Sequence, residues 1–465
     1  MVSSDELNES TQTANGVRIR GPASADDSDA GLVLLYAAEH AALPSVFLLE
    51  ADVAVVGRMP PAQVVVAHPT ISRMHARVAR TDRGFLLRDM GGRNGVFVGG
   101  RRITEALLHA NDEVRIGDVL FKLVSHGARA YAPYRVDGSV AEGARHVGIA
   151  GAVGGMQMAR LSAEVATVGP TDLPVLVLGE TGTGKELVAR ALHAASGRQG
   201  PFRALNCAAI PQNLVESELF GFKKGAFSGA TRDHAGIIRA ANGGTLLLDE
   251  IGDMPLEAQA KLLRTLETRE VLPVGGLEAE KVDVRIVGAT HRDLHAHVAA
   301  RAFRGDLYAR LNGYTISIPP LRERKEDLYP LVRHFLALSG ANDRAVSFRF
   351  MVTVCQYAWP YNVRELASAV KRAVSVSEGR ALDAPDLPDA VTACMTHYGE
   401  EQSPSARDEI DTAKPRFVRP TAAELAELLR EHRGNVAAVA RVLEKDRAQI
   451  HRWMQMFGID PDAYR

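Results

Sequence analysis

Apolar positions along this chain change period twice. From Gly31 to about Val124 they come in short runs, among them L-V-L-L-Y, S-V-F-L-L, V-V-V and V-L-F-K-L-V, separated by polar turns. Runs of that length and spacing predict an all-β sandwich over residues 31–125. From Val147 onward, apolar runs of strand length alternate with stretches of helical period, which predicts a parallel sheet carrying helices. After Pro420 the period is helical throughout. Leu425, Leu428 and Leu429 share one face, a second helix starts near Asn435, and a third follows Asp446, a good N-cap. The short turn from Glu444 to Asp446 predicts a helix-turn-helix within 420–465. Three stretches have no period. Residues 1–30, rich in Ser, Asp, Ala and Thr, read as a disordered tail, while 126–146 and 396–419 read as linkers.

One stretch of the alternating region carries chemistry. In L-P-V-L-V-L-G-E-T-G-T-G-K-E-L-V-A-R-A-L, the apolar run Val175 to Leu178 leads into three glycines, and Lys185 opens a helix. Glycines let backbone N–H groups turn inward, the helix start adds positive potential, and Lys185 supplies a charge for β- and γ-phosphates. Gly179, Glu180, Thr181, Gly182, Thr183, Gly184, Lys185 and Glu186 are therefore the candidate nucleotide cradle. Glu186 stands where a Ser or Thr hydroxyl ordinarily meets magnesium. A second apolar strand, Thr245 to Leu248, ends in Asp249-Glu250. An aspartate there suits Mg2+, and the adjacent carboxylate can orient or deprotonate water. Between the two strands lies G-A-F-S-G-A, residues 225–230. Its Phe227, flanked by small residues, is either tucked into the core or held out as a contact. His291, His295 and His297 fall together in H-R-D-L-H-A-H, but no carboxylate or cysteine completes a convincing ligand set, and a solvated turn is expected.

Composition narrows the setting. Hydrophobic content of 46% and charged content of 24% are those of a soluble globular chain. A net charge of −1 gives no global attraction to nucleic acid, so any basic surface is local. Residues 433–452 supply one, with five Lys/Arg against two Asp/Glu. The cysteines, Cys207, Cys355 and Cys394, lie far apart, as in a reducing compartment without disulfides. No apolar run approaches the length of a membrane span and no signal-peptide pattern opens the chain. A cytoplasmic location without a membrane partner is expected.

The landmarks of the first segment are Gly57-Arg58, Ser72-Arg73-Met74-His75 and Arg93-Asn94-Gly95, all in turns between strands. In that order they resemble the G-R, S-x-x-H and N-G signature of the forkhead-associated (FHA) domain, a reader of phosphothreonine. The resemblance implies that Arg58 and Ser72 hold the phosphate with Arg73 as helper, that Asn94 fixes the peptide backbone, and that His75 braces the loop. A guanidinium fork and a hydroxyl suit a dianionic phosphate. Val96 and Gly99 replace the usual Thr or Ser and a common second Asn.

From about Val147 to Leu387 the chain resembles the sigma-54-dependent transcription activators, the bacterial enhancer-binding branch of the AAA+ ATPases. The motifs are G-E-T-G-T-G-K-E, N-C-A-A-I, E-L-F-G with G-A-F-S-G-A, G-G-T-L-L-L-D-E-I, F-R-G-D-L-Y-A-R-L-N, I-P-P-L-R-E-R-K-E-D-L and W-P-Y-N-V-R-E-L. The glutamate after the cradle lysine is usual in this branch. The resemblance implies an α/β ATPase subdomain over 147–320 and a helical lid over 321–395, with ATP and Mg2+ as cofactors. Lys185 and the loop amides would bind phosphates, Asp249 would serve Mg2+, and Glu250 would activate water with Asn206 as the switch holding it back. Arg304 and Arg310 match paired arginine fingers acting across a subunit boundary, and Arg364 the sensor arginine of the lid. Gly225, Ala226, Phe227, Ser228, Gly229 and Ala230 would engage sigma-54. Four positions depart from the family: Ser228 for Thr, His291 for the sensor Asn, Pro273 for Arg, and Tyr361 for Gly; by its place His291 would be a nucleotide-site residue facing the γ-phosphate.

The last segment, with G-N-V-A-A-V-A-R-V-L, resembles a Fis-type DNA-binding domain, whose recognition helix would carry Arg447, Gln449, His451 and Arg452. Together these resemblances imply an activator that dimerises on upstream DNA, assembles into a ring (expected to be a hexamer) and remodels sigma-54 RNA polymerase under phosphothreonine control. The competing reading is a DNA-binding regulator whose assembly depends on nucleotide and which does not act through sigma-54.

Overall fold

The computed structural model describes residues 29–228 and 230–401, with Leu425, Leu429, Arg430, Val436, Ile450, Met454, Phe457 and Ile459 beyond them. The chain divides into a large unit ending at Glu401 and a small one starting at Gln402.

The large unit begins with a sandwich of two mainly antiparallel sheets. One has the order Val46–Leu48, Gly31–Tyr36, Val119–Val124, Glu113–Ile116, Val96–Val98, Arg101–Ile103, and the other the order Val64–Val65, Val53–Gly57, Ala76–Thr81, Gly84–Asp89, Glu105–Leu108. Most strands alternate, with Ala54, Val56, Val78 and Leu87 turned into the core. Gly31–Tyr36 and Val119–Val124 are instead buried at every position. Their runs are continuously apolar because both faces are covered. Leu32, Leu34, Phe121 and Leu123 fill the sandwich, while Leu35, Tyr36 and Leu120 pack with Leu328, Leu331 and Phe350 of the helical lid.

Polar contacts fix that junction. Lys122, fully buried among apolar neighbours, meets Glu326 at 2.5 Å. Lys325 meets Glu113 at 3.0 Å, and Tyr36 donates to the Val346 carbonyl at 3.1 Å. The Arg115 guanidinium lies 4.7 Å from the ring centre of Phe97 and 5.2 Å from that of Phe348. Within 126–146, read above as a linker, Tyr131 and Val136 are buried and the Tyr131 hydroxyl accepts from Lys122 at 3.4 Å, while 137–146 is mostly exposed. Breaking a buried pair from one side leaves the partner charged and desolvated. Lys122→Ala is thus expected to cost about 3–5 kcal/mol, and Glu326→Gln in the same background to recover part of it. Urea unfolding of the two variants checks this; a loss under about 1 kcal/mol for Lys122→Ala would mean the junction does not depend on the pair.

The core of the segment after the sandwich is an all-parallel sheet in the order Phe202–Asn206, Thr245–Asp249, Arg285–Thr290, Val175–Leu178, Tyr314–Ser317. Three central strands end side by side, so the loops after Leu178, Asp249 and Thr290 converge at one edge, where α/β sheets place their ligands. The lid follows with helices Leu328–Leu338, Phe348–Gln356 and Asn362–Val376 around a buried Trp359. In the small unit Leu425, Leu429, Ile450 and Met454 bury one another, with Val436, Phe457 and Ile459 against them. Arg447, Gln449, His451 and Arg452 lie outside the described residues, as does Gly229. Among the described residues no helix is long and apolar enough to cross a membrane.

Candidate nucleotide site

The strand Val175–Leu178 turns through the glycine loop into the helix Lys185–Ala195. Gly184 has φ +104° and Gly182 φ +80°, and a Cβ on Gly182 would stand 2.1 Å from the Tyr361 carbonyl oxygen. Neither position admits a side chain. Lys185, 7% exposed, donates to the Gly179 carbonyl at 2.9 Å and meets Glu250 Oε1 at 3.2 Å. Glu186 does not reach towards the acidic pair; its carboxylate takes Arg190 one turn along the helix at 2.6 Å.

The carboxylates at the end of Thr245–Asp249 are held differently. Burial raises the Asp249 pKa, the charge of Glu250 adds to this, and Lys185 only partly opposes it. Burial pushes Glu250 the same way, but hydrogen bonds from His291 and the charge of Lys185 overcome it and bring the pKa below the ordinary glutamate value. Glu250 is thus the carboxylate kept ionised, as a base acting on water requires. Asp249 is the one a cation would relieve. Among the described residues no group of three or more His, Cys, Asp or Glu could hold a metal unaided. The half-buried Asp249 carboxylate, its pKa raised by burial and by Glu250, fits Mg2+, which takes one or two carboxylates and completes its shell with phosphates and water.

Asn206 was expected on Glu250. The structure places it on Asp249 instead, its amide donating to Oδ2 at 3.2 Å. Glu250 Oε2 is taken by His291, through ring Nδ1 at 2.7 Å and the backbone N–H at 3.3 Å. His295 pairs with the Tyr308 hydroxyl at 2.8 Å, so the histidine stretch serves two separate contacts.

Lid and cradle are joined by residues to which the motifs assigned no role. The amide of Asn362, fully buried, donates to Glu180 Oε2 at 3.1 Å and to the Thr181 carbonyl at 3.0 Å, and its carbonyl accepts from Leu321 N–H at 2.7 Å. Arg322 forks onto both oxygens of Glu180 at 2.9 and 2.6 Å. Buried Arg324 donates to the Thr183 carbonyl at 3.2 Å. The signal for these was present in P-L-R-E-R and W-P-Y-N, but only the folded chain shows which carbonyls they reach. Tyr361 replaces a glycine at no backbone cost, since its φ is −106°; the left-handed residues here are Trp359 and Asn362.

The cleft between lid and cradle measures about 700 Å³ and is lined by Thr183, Lys185, Asp249, Glu250, His291 and Arg364 among others. Neither Arg304 nor Arg310 lines it. Both are exposed: Arg304 pairs with Asp306 at 2.7 Å, and Arg310 donates to the Leu266 carbonyl at 3.3 Å.

Residues 153–317 match the sigma-54 interaction domain family, 322–404 the AAA+ ATPase lid domain, and 54–117 the FHA domain. Residues 153–317 form a sigma-54 interaction domain. Its relatives include the regulatory protein AtoC of Escherichia coli, 42% identical over 308 residues, 64% of this chain and 65% of AtoC. They also include the transcriptional regulatory protein ZraR of Klebsiella oxytoca, 50% identical over 240 residues, 50% of this chain and 54% of ZraR. The chain spans less than two thirds of the length of either. The crystal structure of NtrX from Brucella abortus with ADP aligns at a TM-score of 0.49 and 30% identity, covering 65% of this chain and 69% of NtrX.

In the sigma-54 interaction domain Gly225, Phe227 and Ser228 of the 225–230 loop are exposed. Phe227 is 42% exposed and rests edge-on against Phe222, ring centres 4.9 Å apart. Ser228 is exposed and Ala230 buried. Val274, beside buried Pro273, donates to the Gly221 carbonyl at 2.9 Å and accepts from Lys223 N–H at 3.0 Å, which ties the second loop to the base of the first.

In the FHA domain, Arg58 and Arg73 are exposed and Ser72 half-buried, its hydroxyl accepting from Arg93 N–H at 3.3 Å. Asn94 donates to the Thr70 carbonyl at 2.7 Å. His75 is fully buried, accepting from Ser72 N–H at 3.0 Å through Nδ1 with Nε2 3.2 Å from the Gly95 carbonyl. Nδ1 accepts, so the proton is assigned to Nε2. Burial lowers the His75 pKa and favours this neutral form. The departure at 96 is a core position: Val96 is fully buried.

Proposed function

We propose that the chain is an ATP-dependent activator that remodels sigma-54 RNA polymerase and is gated by a phosphothreonine ligand of its FHA domain. The carrying observation is that one domain holds both an intact lysine–glutamate–aspartate centre in a cleft and a tethered loop with Phe227 exposed. Bound ATP with Mg2+ supplies the phosphoryl group whose hydrolysis drives the work. Lys185 and the loop N–H groups bind its phosphates, Asp249 holds the cation, Glu250 orients and deprotonates water, and Arg364 reaches in from the lid. Arg304 and Arg310, exposed and outside their own cleft, complete the cleft of a neighbouring copy, so hydrolysis follows ring assembly, with a hexamer as the expected size. Motion of the cleft passes to 225–230 and its bonded partner Val274, where Phe227 and Ser228 meet sigma-54. The domains are the sandwich at 31–125, the ATPase and lid at 147–395, and a DNA-binding helix-turn-helix at 420–465 that addresses upstream sites as a dimer.

The deciding experiment is transcription in vitro from a sigma-54 promoter with the purified chain and ATP; no ATP-dependent stimulation would sink the reading. The FHA part has its own test. Arg58 is exposed and free to fork onto a phosphate, so Arg58→Ala is expected to weaken phosphothreonine-peptide binding at least about tenfold. Calorimetry on the full chain checks it. Equal affinity for the two versions would place the phosphate elsewhere.

A further inference from the structure

The family resemblance makes Asn206 the residue that holds the catalytic glutamate, and puts an asparagine where this chain has His291. The structure redistributes both duties. Asn206 is committed to the cation side: its amide nitrogen donates to Asp249, and its carbonyl oxygen accepts from the N–H groups of Ala208 and Ala209 at 3.0 and 3.1 Å. Glu250 has one oxygen on Lys185 and the other on His291. His291 directly follows the strand Arg285–Thr290, which lies between the cradle strand and the acidic strand. From there its ring and its own backbone N–H converge on a single oxygen, Oε2. A ring nitrogen facing a carboxylate carries the proton, so Nδ1 donates.

We propose that His291 is the positioning residue for Glu250, in place of Asn206. The inference rests on the ATPase reading. Lys185 leaves Oε1 for the phosphates of a bound nucleotide, and that oxygen becomes free to accept a proton from water. Oε2 stays pinned by two donors of one residue, which keeps the carboxylate from swinging away as its other partner departs. Without the ring a single, longer backbone bond remains. The role belongs to the Nδ1 donor and not to the imidazole as such. Asparagine carries its amide nitrogen on the same side-chain carbon position that bears Nδ1, so it can offer a donor at that place; alanine cannot.

Steady-state ATP turnover by the full chain with Mg2+, alongside direct ADP binding, tests this. For His291→Ala the loss of a charge-assisted hydrogen bond to the base is expected to lower kcat roughly 10- to 100-fold. KM and ADP affinity should stay within about twofold, since the ring holds the base and not the nucleotide. His291→Asn is expected to restore kcat to within about threefold of the unaltered chain. Asn206→Ala should act through Asp249, raising the Mg2+ concentration needed for half-maximal rate. An unchanged kcat in His291→Ala overturns the proposal, as does a His291→Asn chain as slow as the alanine form. So does a matching loss of ADP affinity, which would make the residue merely structural. If the unaltered chain hydrolyses no ATP, the ATPase reading itself fails, and that result is distinct from the other three.

Discussion

Lys185→Ala is expected to reduce ATP hydrolysis at least about 100-fold, the scale on which removing one preorganised electrostatic donor acts. Two effects add. The cradle loses the point charge that meets the β- and γ-phosphates, so nucleotide affinity falls together with turnover. The resting site loses the cation beside Glu250, leaving that half-buried carboxylate with His291 alone. Its pKa is held down by both partners against burial, so removing Lys185 moves it upward and weakens its hold on the ionised form. Phosphate release at saturating ATP, with ADP binding measured in parallel, reads both effects. Hydrolysis at the unaltered rate would mean that the catalytic centre lies elsewhere in the chain.

Phe227→Ala should separate hydrolysis from output. Phe227 touches Phe222 and solvent and lies away from the cleft lining, so turnover is expected within about twofold of the unaltered chain. Activated transcription from a sigma-54 promoter should fall at least tenfold, as when an aromatic anchor is truncated at a contact. The loop's backbone does not depend on the ring: Gly225 N–H bonds Ala230 at 2.8 Å and Ala230 N–H bonds Phe227 at 3.0 Å through main-chain atoms. The alanine form therefore keeps the loop's shape and removes only its face. Full activation by Phe227→Ala would exclude this loop as the contact. Loss of hydrolysis and activation together would show that the loop acts back on the cleft through Val274.

The fold class was legible in period alone. Runs separated by turns gave a sandwich, and alternation of strand and helix gave a parallel sheet, because burial on one or both faces leaves its mark on local sequence. The cradle was legible too, since glycine placement reports backbone angles that no other residue tolerates: Gly184 at φ +104° is where the motif put it. Partners of charged groups were not. Lys122, within V-L-F-K-L-V, has no neighbour in that run that could pair with it, and it is buried against Glu326, 204 positions away. The segment 126–146 has no period because it is irregular, and irregular chain packs as well as it links; Tyr131 and Val136 fill the junction.

The acidic pair shows the same division. Sequence placed Asp249 and Glu250 at a strand end, where a phosphate-binding sheet needs carboxylates. Which donor each one takes depends on loops from Thr290, Asn206 and Lys185 that meet only when parallel strands set their ends side by side. Local chain chemistry determined that this protein has a glycine-rich cradle, a pair of carboxylates at a strand end and an aromatic loop. Tertiary packing alone decided that His291 holds Glu250, that Asn206 holds Asp249, and that the sandwich is anchored to the lid. Backbone conformation is encoded within a few residues, whereas a hydrogen bond between distant side chains has no local signature.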